Sequence, residues 1–273
     1  MLGLCLSGGG ARGAYQIGVC MALQEAGILD EVEYFSGTSI GAVNAVMLAC
    51  LPVEKVKELW FDMPDDVLNK TESFFKRLWK ENKNFLKNGI YDLSVLRKVV
   101  KKNIDFAKLK EKKVFVTLSD AGAAGGGLTS LLKESYLHYI KHNNRAVYSK
   151  IWEQSRLEII QQIMASCSIP AIFPPTTIDG KQYYDGGVYD NVPVAPLVKA
   201  GCKRIIVIHL DKLPYNYVKK YPEIDFMKIV SHKSLGLKLN FDPLQSEIRY
   251  NYGYADGKEF TKELLNLKNK NLT

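Results

Sequence analysis

The stretch LGLCLSGGGARG, residues 2–13, runs from an apolar segment into three consecutive glycines. An apolar run that ends in glycines and passes directly into a helical pattern is typical of a buried strand, a tight turn and a helix in an α/β sheet. Main-chain N–H groups in such a turn face an open space at the positive end of the helix, which favours negative charge. The turn therefore predicts an anion site, for either a phosphate group or the oxyanion of a reacting ester.

Strand-like and helix-like segments alternate from this turn onward. The predicted strands are mostly apolar runs, at Leu2–Leu6, Glu33–Ser36, Val114–Leu118, Gln182–Tyr184 and Arg204–Leu210. Helical patterns separate them, at Ala14–Ala26, Ile40–Leu51, Leu157–Ala165 and Val192–Ala200. Strands that are apolar on both faces lie in parallel sheets covered by helices. The sequence therefore predicts an α/β fold with three layers, α/β/α, around a mostly parallel central sheet.

The chain carries a net charge of +8, and its basic residues cluster in one region. Residues 76–113 contain 13 Lys or Arg against 4 Asp or Glu. The overlapping stretch ESFFKRLWKENKNFLKNGI, residues 72–90, places apolar and basic side chains at helical spacing. Such a helix either docks on an anionic membrane surface or packs on the sheet with a solvated basic face. We expect a lipid or membrane partner and no nucleic acid.

The five cysteines are scattered and form no CxxC pair, at Cys5, Cys20, Cys50, Cys167 and Cys202. They predict buried free thiols in a reducing compartment and no metal site. The first strand begins at residue 2, which leaves no room for a signal peptide, and no apolar run is long enough to span a membrane. We therefore expect a cytoplasmic protein that contacts membranes at most at their surface.

A second glycine turn, GTSIG at residues 37–41, fits the G-x-S-x-G pattern of a nucleophile elbow. It follows the strand-like run EYFS and precedes the helical run IGAVNAVMLA, which is the context that the pattern requires. Gly37 and Gly41 remove the Cβ atoms that would clash in such a sharp turn. Ser39 is then either a nucleophile displayed at the end of a strand or a cap of the following helix.

A nucleophilic serine needs a base, and two residues are candidates. Asp185 precedes Gly186 and Gly187 in a turn after a short strand, at the same predicted sheet edge as Ser39. His209 ends a buried strand and would complete the Ser, Asp, His order of α/β-hydrolases. A strand-end histidine with an ordinary hydrogen bond is the simpler interpretation, but position in the strand alone leaves both bases open.

The first turn also fits a different class of function. Gly8, Gly10 and Gly13 satisfy the G-x-G-x-x-G pattern of dinucleotide-binding proteins, and Glu33 follows where an acidic residue would bind the ribose. A nucleotide-binding protein is therefore the alternative to an enzyme that attacks esters. The G-x-S-x-G turn favours the enzyme, because nucleotide binding has no need of it.

The three glycine turns, in this order and spacing, resemble those of the patatin-like phospholipase family. Three further stretches resemble the family: VCMALQEAG at residues 19–27, ASCSIPAIFPP at residues 165–175, and NVP at residues 191–193. The resemblance implies a catalytic domain over residues 1–210, with a less typical basic region at about 65–150. Residues 211–273 are expected to form a peripheral segment packed on the same domain.

The resemblance also implies the chemistry of the site. Ser39 matches the family's nucleophile and Asp185 its general base, whereas His209 matches no catalytic position. The family's oxyanion loop corresponds to Gly8, Gly9, Gly10, Arg12 and Gly13, and its supporting glycines to Gly37, Gly41, Gly186 and Gly187. Arg12 would position this loop or a substrate phosphate, or else form an ordinary surface ion pair. The implied substrate is a lipid ester, and the implied reaction uses no metal and no cofactor.

Overall fold

Eight strands form a mixed sheet in the computed structural model, which describes residues 1–63, 93–120, 145–170 and 172–270. The strands are β1 (Leu2–Leu6), β2 (Val32–Thr38), β3 (Lys113–Asp120), β4 (Ala146–Lys150), β5 (Thr176–Ile178), β6 (Lys181–Asp185), β7 (Arg204–His209) and β8 (Asp225–Val230). Their order is β5-β6-β3-β2-β1-β7-β8, and β4 also pairs with β3. Strands β3, β2, β1, β7 and β8 are parallel, which confirms the predicted mostly parallel sheet.

Helices cover both faces of this sheet. The described residues form α1 (Ala14–Glu25), α2 (Ile40–Cys50), α3 (Val53–Phe61), α4 (Ser94–Asn103), α5 (Phe106–Glu111), α6 (Arg156–Ser166), α7 (Ala195–Lys199), α8 (Tyr217–Lys220) and α9 (Pro243–Lys270). Leu4 and Leu6 of β1 belong to the buried cluster that includes α1 and α2, whereas Cys5 belongs to a second cluster with Leu197 of α7. Because successive side chains of a strand point to opposite faces, the sheet is buried on both sides. The predicted three-layer architecture is confirmed.

The sequence located the central elements better than the peripheral ones. Strand β1 has the predicted bounds, and α2 ends one residue earlier than predicted, before Pro52. Strands β4, β5 and β8 escaped prediction because they lie at sheet edges and are partly in solvent, and therefore lack a continuous apolar run. The predicted amphipathic stretch at residues 72–90 lies outside the described residues. Among the helices that the structure describes, none has the length and hydropathy that crossing a bilayer would need.

The C-terminal helix α9 packs closely along α1. A Cβ atom on Gly253 would lie 1.9 Å from the carbonyl oxygen of Tyr15, and one on Gly18 would lie 2.0 Å from that of Tyr250. Glycine is required at both positions because the two backbones approach so closely. The Tyr15 hydroxyl also donates a 2.7 Å hydrogen bond to Asp256. The C-terminal segment, expected at the periphery, thus has a long contact with the first helix of the chain.

We expect Gly253→Ala to destabilise the protein by about 1–3 kcal/mol, because the added methyl group would have to displace the Tyr15 backbone. Helix propensity alone predicts the opposite sign, a gain of about 1 kcal/mol. Chemical denaturation would measure the free energy of unfolding. Asn251→Ala, at an exposed position of the same helix, is the control and should change stability by less than about 0.5 kcal/mol. A Gly253→Ala variant as stable as the parent would contradict the close helix contact.

Candidate functional site

Ser39 occupies the turn between β2, which ends at Thr38, and α2, which begins at Ile40. Its backbone has φ 55° and ψ −127°, a conformation that costs a residue other than glycine on the order of 1–3 kcal/mol. Gly37 and Gly41 make the turn possible, since a Cβ on Gly37 would lie 2.3 Å from the carbonyl oxygen of Gly41. The result is a sharp strand-to-helix turn with Ser39 between the two elements.

Strand β3 brings Asp185 beside this turn. Thr117 of β3 pairs with Thr38 of its parallel neighbour β2, and the next residue, Leu118, pairs with Asp185 of the antiparallel β6. Strand β4 pairs along the other side of β3 over Phe115–Ser119, so β2 and β6 follow each other along the same side of β3. Ser39 and Asp185 therefore lie where the end of β2 meets the end of β6, near the carboxyl end of β3. The two residues are far apart along the chain, yet they line the same cavity.

The carboxyl end of α6 fixes the backbone of both residues. The Ser166 hydroxyl accepts a 2.9 Å hydrogen bond from the amide of Ser39 and donates a 2.7 Å bond to the carbonyl of Thr117. The Ser168 carbonyl accepts a 2.9 Å hydrogen bond from the amide of Asp185. A single helix end thus positions Ser39 and Asp185 relative to each other, and it holds Ser39 in its strained conformation.

The Asp185 carboxylate is buried, with 6% of the residue exposed. Its Oδ1 atom accepts a 2.7 Å hydrogen bond from the amide of Gly187. Burial raises the pKa of Asp185 to about 6, and the Ser39 hydroxyl and the Gly187 amide oppose this rise by stabilising the charged form. Among the described residues, Oδ2 has no hydrogen-bond partner in good geometry. The carboxylate therefore keeps one acceptor atom without a partner, and its interaction with the Ser39 hydroxyl brings the two side chains close together.

The first glycine turn contributes free main-chain donors to the same place. Gly8 donates its amide N–H to the carbonyl of Asn191 at 3.1 Å. Gly10 has φ 58°, and a Cβ there would lie 2.1 Å from the carbonyl oxygen of Lys238, so this position requires glycine. In the part of the chain that the structure describes, the amides of Gly9 and Gly10 donate no hydrogen bond. Both glycines line the cavity that contains Ser39.

Two arginines hold the glycine turn against the loop after β8. The Arg12 guanidinium donates to the carbonyls of Leu210 and Gly236 at 2.6–3.1 Å. Arg249 of α9 is 2% exposed and donates to four carbonyls, those of Ala11, Leu235, Leu237 and Asn240. Burial, and then the nearby charge of Arg12, lower the pKa of Arg249. Because the donors of Arg12 are directed at main-chain oxygens, its geometry favours positioning of the turn over binding of a substrate phosphate.

The turns line an open cavity of about 330 Å³ at the carboxyl ends of the parallel strands. Its remaining walls come largely from the loops after β7 and β8, through Asp211, Leu213, Tyr215, Lys238 and Leu239. A narrow second cavity of about 40 Å³ shares Gly10, Ser39, Ile169 and Leu239 with the first. Its other walls are apolar, from Ile40, Leu93, Leu96, Cys167, Phe173 and Phe241. Two cavities that meet at Ser39, a wide one with polar groups in a largely apolar lining and a narrow apolar one, suit an ester with a long acyl chain.

The residues of the two alternative functions lie elsewhere. His209 is buried and lines a different cavity, where its Nε2 atom shares a 2.8 Å hydrogen bond with the Tyr217 hydroxyl. Burial lowers the pKa of His209 to about 4. Glu33 is near the amino end of β2, whereas the glycine turn lies at the carboxyl ends of the strands. Its carboxylate is 3.9 Å from the N-terminal amine. The structure therefore brings neither a histidine to Ser39 nor the expected ribose-binding carboxylate to the turn.

The sequence analysis missed three residues that shape the site. Ser166 lies within the quoted stretch at residues 165–175, but its bond to the Ser39 amide has no local signature. Lys238 and Arg249 lie in the polar C-terminal segment, which carries no catalytic motif. A fully buried arginine is rare, and nothing in its sequence neighbourhood distinguishes Arg249 from the exposed basic residues around it.

Comparison with known proteins assigns the family. The model of the patatin-like phospholipase family matches residues 4–198, a span that includes Ser39 and Asp185. The chain belongs to the patatin-like phospholipase family, and the resemblance drawn from its three glycine turns is confirmed. A fungal relative, lysophospholipase NTE1 of Yarrowia lipolytica, is 25% identical over 223 residues. The match covers 79% of this chain and 13% of that protein, so the chain spans a small part of its fungal relative.

Two further comparisons agree with this assignment. The mouse protein 1-acylglycerol-3-phosphate O-acyltransferase Pnpla3 is 26% identical over 197 residues, which cover 70% of this chain and 40% of that protein. The crystal structure of VipD from Legionella pneumophila matches with a TM-score of 0.53 at 15% identity, over 96% of this chain and 66% of that chain. At this identity the likeness shows a shared fold alone, and it confirms the predicted patatin-like α/β fold.

We expect Ser166→Ala to loosen the Ser39 turn, because the buried Ser39 amide and the Thr117 carbonyl would both lose their partner. The free energy of unfolding should fall by about 1–3 kcal/mol, and exchange of the Ser39 amide proton should become faster. Denaturation and hydrogen exchange measured by NMR would test this. Ser168→Ala is the matched control, because its hydroxyl bonds Met164 and not Ser39. Unchanged Ser39 exchange in Ser166→Ala would show that the hydroxyl does not hold the turn.

Proposed function

We propose that the protein is a serine acyl hydrolase that cleaves the ester bonds of phospholipids or lysophospholipids. The observation that carries the proposal is the buried Asp185 carboxylate, which keeps a free oxygen close to Ser39 on a strained turn. Membership of the patatin-like phospholipase family supports a lipid substrate, as does the name of the lysophospholipase relatives. The location of His209 and Glu33 gives no support to an α/β-hydrolase triad or to a nucleotide-binding function.

In the proposed first step Ser39 attacks the ester. A bond forms between its Oγ atom and the carbonyl carbon while Asp185 Oδ2 takes the hydroxyl proton. The carbonyl oxygen becomes an oxyanion and accepts hydrogen bonds from the amides of Gly9 and Gly10. A single such donor contributes about 3–4 kcal/mol to lowering the barrier. The bond between the carbonyl carbon and the alcohol oxygen then breaks, and this oxygen takes the proton from Asp185.

In the second step water releases the fatty acid. A water oxygen adds to the carbonyl carbon of the acyl-enzyme while Asp185 takes a proton from this water molecule. The bond to Ser39 Oγ breaks, and this oxygen recovers a proton from Asp185. A free carboxylate with a pKa near ~4 is a poor base at neutral pH. Burial makes Asp185 a better base, because it raises the pKa of Asp185 to about 6, closer to neutral pH.

The narrow apolar cavity is the proposed site of the acyl chain. It begins at Ser39 and Gly10, so a carbonyl group held at the glycine turn would direct its chain into this cavity. Leu239 borders both cavities and separates the chain from the wider opening. Transfer of methylene groups from water to such a lining is favourable by about 0.8 kcal/mol each, which would favour long-chain over short-chain esters.

We expect a fluorophosphonate probe to label Ser39 covalently, with the modified residue identified by mass spectrometry of peptides. Asp185→Asn should lower both labelling and ester hydrolysis by at least about 10²-fold, because the variant cannot accept the serine proton. His209→Gln should retain activity within a few-fold, since His209 bonds Tyr217 and not Ser39.

Two controls make this test discriminating. Ser39→Ala should give no label. Asp190→Asn is the control for loss of a carboxylate, because Asp190 is half-buried, bonds Tyr148 and does not line the Ser39 cavity. Loss of activity in His209→Gln together with full activity in Asp185→Asn would support the triad and refute the proposed dyad. Labelling of a serine other than Ser39 would refute the nucleophile.

The pH dependence separates the two bases independently. Asp185 accepts a proton only as a carboxylate, so kcat/KM for a water-soluble ester should fall as the pH drops below about 6 and should level off above it. If His209 were the base, the fall would occur near pH 4, because burial lowers the pKa of His209 to about 4. Initial rates measured at constant ionic strength would give the profile. A single limb near pH 4 would contradict the assignment of Asp185.

A further inference from the structure

Exposed leucines cluster at the mouth of the Ser39 cavity. The described residues include nine large hydrophobic side chains that are exposed, and three of them, Leu213, Leu237 and Leu239, lie on the two loops that follow β7 and β8. Leu213 is 62% exposed and Leu239 is 42% exposed, yet both also line the cavity. Leu237, two residues from Leu239, is 75% exposed. Single exposed leucines are common, but a group at the opening of a cavity marks an interaction surface.

The loop that carries two of these leucines is held in place by main-chain hydrogen bonds. Arg12 donates to the carbonyl of Gly236, and Arg249 donates to that of Leu237 at 3.2 Å. The Lys238 carbonyl accepts a 2.7 Å hydrogen bond from the amide of Ala11. The loop is therefore fixed on both sides of Leu237, and its leucines are presented to solvent although the backbone beneath them is anchored.

Positive charge accompanies these leucines. The loop at residues 231–241, SHKSLGLKLNF, contains Lys233 and Lys238 and no acidic residue. Lys212 precedes Leu213, and all three lysines are exposed. The acidic residue of the loop after β7, Asp211, already accepts hydrogen bonds from Asn191 and Tyr215. Leucines beside exposed lysines, two of them in a loop without any acidic residue, fit a lipid bilayer, which is apolar within and can be anionic at its surface.

We propose that this rim, formed by Leu213, Leu237, Leu239, Lys212, Lys233 and Lys238, docks on an anionic lipid bilayer. The inference rests on the proposed function, because it assigns the route by which a lipid reaches Ser39. With the leucines inserted at the bilayer surface, an acyl chain passes from the membrane into the cavity without exposing its methylene groups to water. The lysines meet the phosphate groups of the lipids, and their attraction weakens as salt screens it.

The test is cosedimentation with vesicles of phosphatidylcholine, with or without phosphatidylglycerol. The parent protein should bind the anionic vesicles, and salt should weaken the binding. Leu237→Ser should lower the partition coefficient about tenfold, and Lys233→Ala about fivefold. Hydrolysis of a short water-soluble ester should stay unchanged in both variants, because neither side chain lines the Ser39 cavity.

Matched controls come from the opposite ends of the strands, away from the rim. Leu157, at the amino end of α6, is 68% exposed, and Lys199 ends α7 just before the amino end of β7. Leu157→Ser and Lys199→Ala should bind vesicles as the parent protein does. Equal loss of binding in Leu157→Ser and Leu237→Ser would contradict docking by the rim, because an exposed leucine far from the rim would then contribute as much to vesicle binding.

Other outcomes would also overturn the docking surface. These are binding that does not depend on anionic lipid, absence of vesicle binding by the parent protein, and rim variants that bind as the parent does. A parent protein that is dimeric by light scattering, and that Leu237→Ser makes monomeric, would assign the rim to a second copy of the chain. Hydrolysis of the soluble ester tests the proposed function separately. If the parent protein does not hydrolyse it, the proposed function is contradicted. If the parent hydrolyses it but binds no vesicles, only membrane docking by the rim is contradicted.

Discussion

The pairing of β3 with two strands in succession along one side, first the parallel β2 and then the antiparallel β6, is the constraint on which the site depends. A parallel sheet displays loop residues at the carboxyl ends of its strands, as β1, β2 and β7 do here. Strand β6 runs the opposite way, and its last residue, Asp185, pairs with Leu118 next to the level of Ser39. A slip of one residue between β3 and β6 would turn the Asp185 side chain to the other face of the sheet. The approach of Ser39 and Asp185 is therefore a property of strand register.

The loop after β8, which forms one wall of the cavity, is held by hydrogen bonds from two arginines. An irregular loop has no ladder partners for its carbonyls, and Arg12 and Arg249 supply the missing donors. Burial of the Arg249 guanidinium without a carboxylate is unfavourable, as its lowered pKa shows, and charge-assisted bonds to four carbonyls offset this cost. Because α9 carries Arg249 and packs on α1, the cavity wall and the helix contact are one structural unit.

The sequence located the parts of the site that depend on local backbone conformation. The G-x-S-x-G pattern identified the turn at Ser39 because only glycine at positions 37 and 41 permits the close approach seen there. It could not locate Ser166 or Arg249, whose partners Thr117 and Ala11 are brought near by the fold. Likewise, residue order left Asp185 and His209 as rival bases, and family resemblance alone favoured the first. What separates them in the structure is location: Asp185 lines the Ser39 cavity, whereas His209 lies in another cavity and bonds Tyr217, and a single sequence displays neither fact.

The residues of the proposed chemistry and those of the proposed lipid route lie in different parts of the chain, but the two parts meet at one carbonyl group. The family match ends at residue 198, so Ser39 and Asp185 lie within it, whereas Lys238 and Leu239 lie outside. The Lys238 carbonyl accepts the Ala11 amide, and the same oxygen occupies the space where a Cβ of Gly10 would be. A change that moved this loop to admit a different lipid would also move the free amides of the glycine turn. The proposed route of the substrate and the geometry of the proposed anion site are therefore coupled, because one carbonyl contacts both the loop after β8 and the glycine turn.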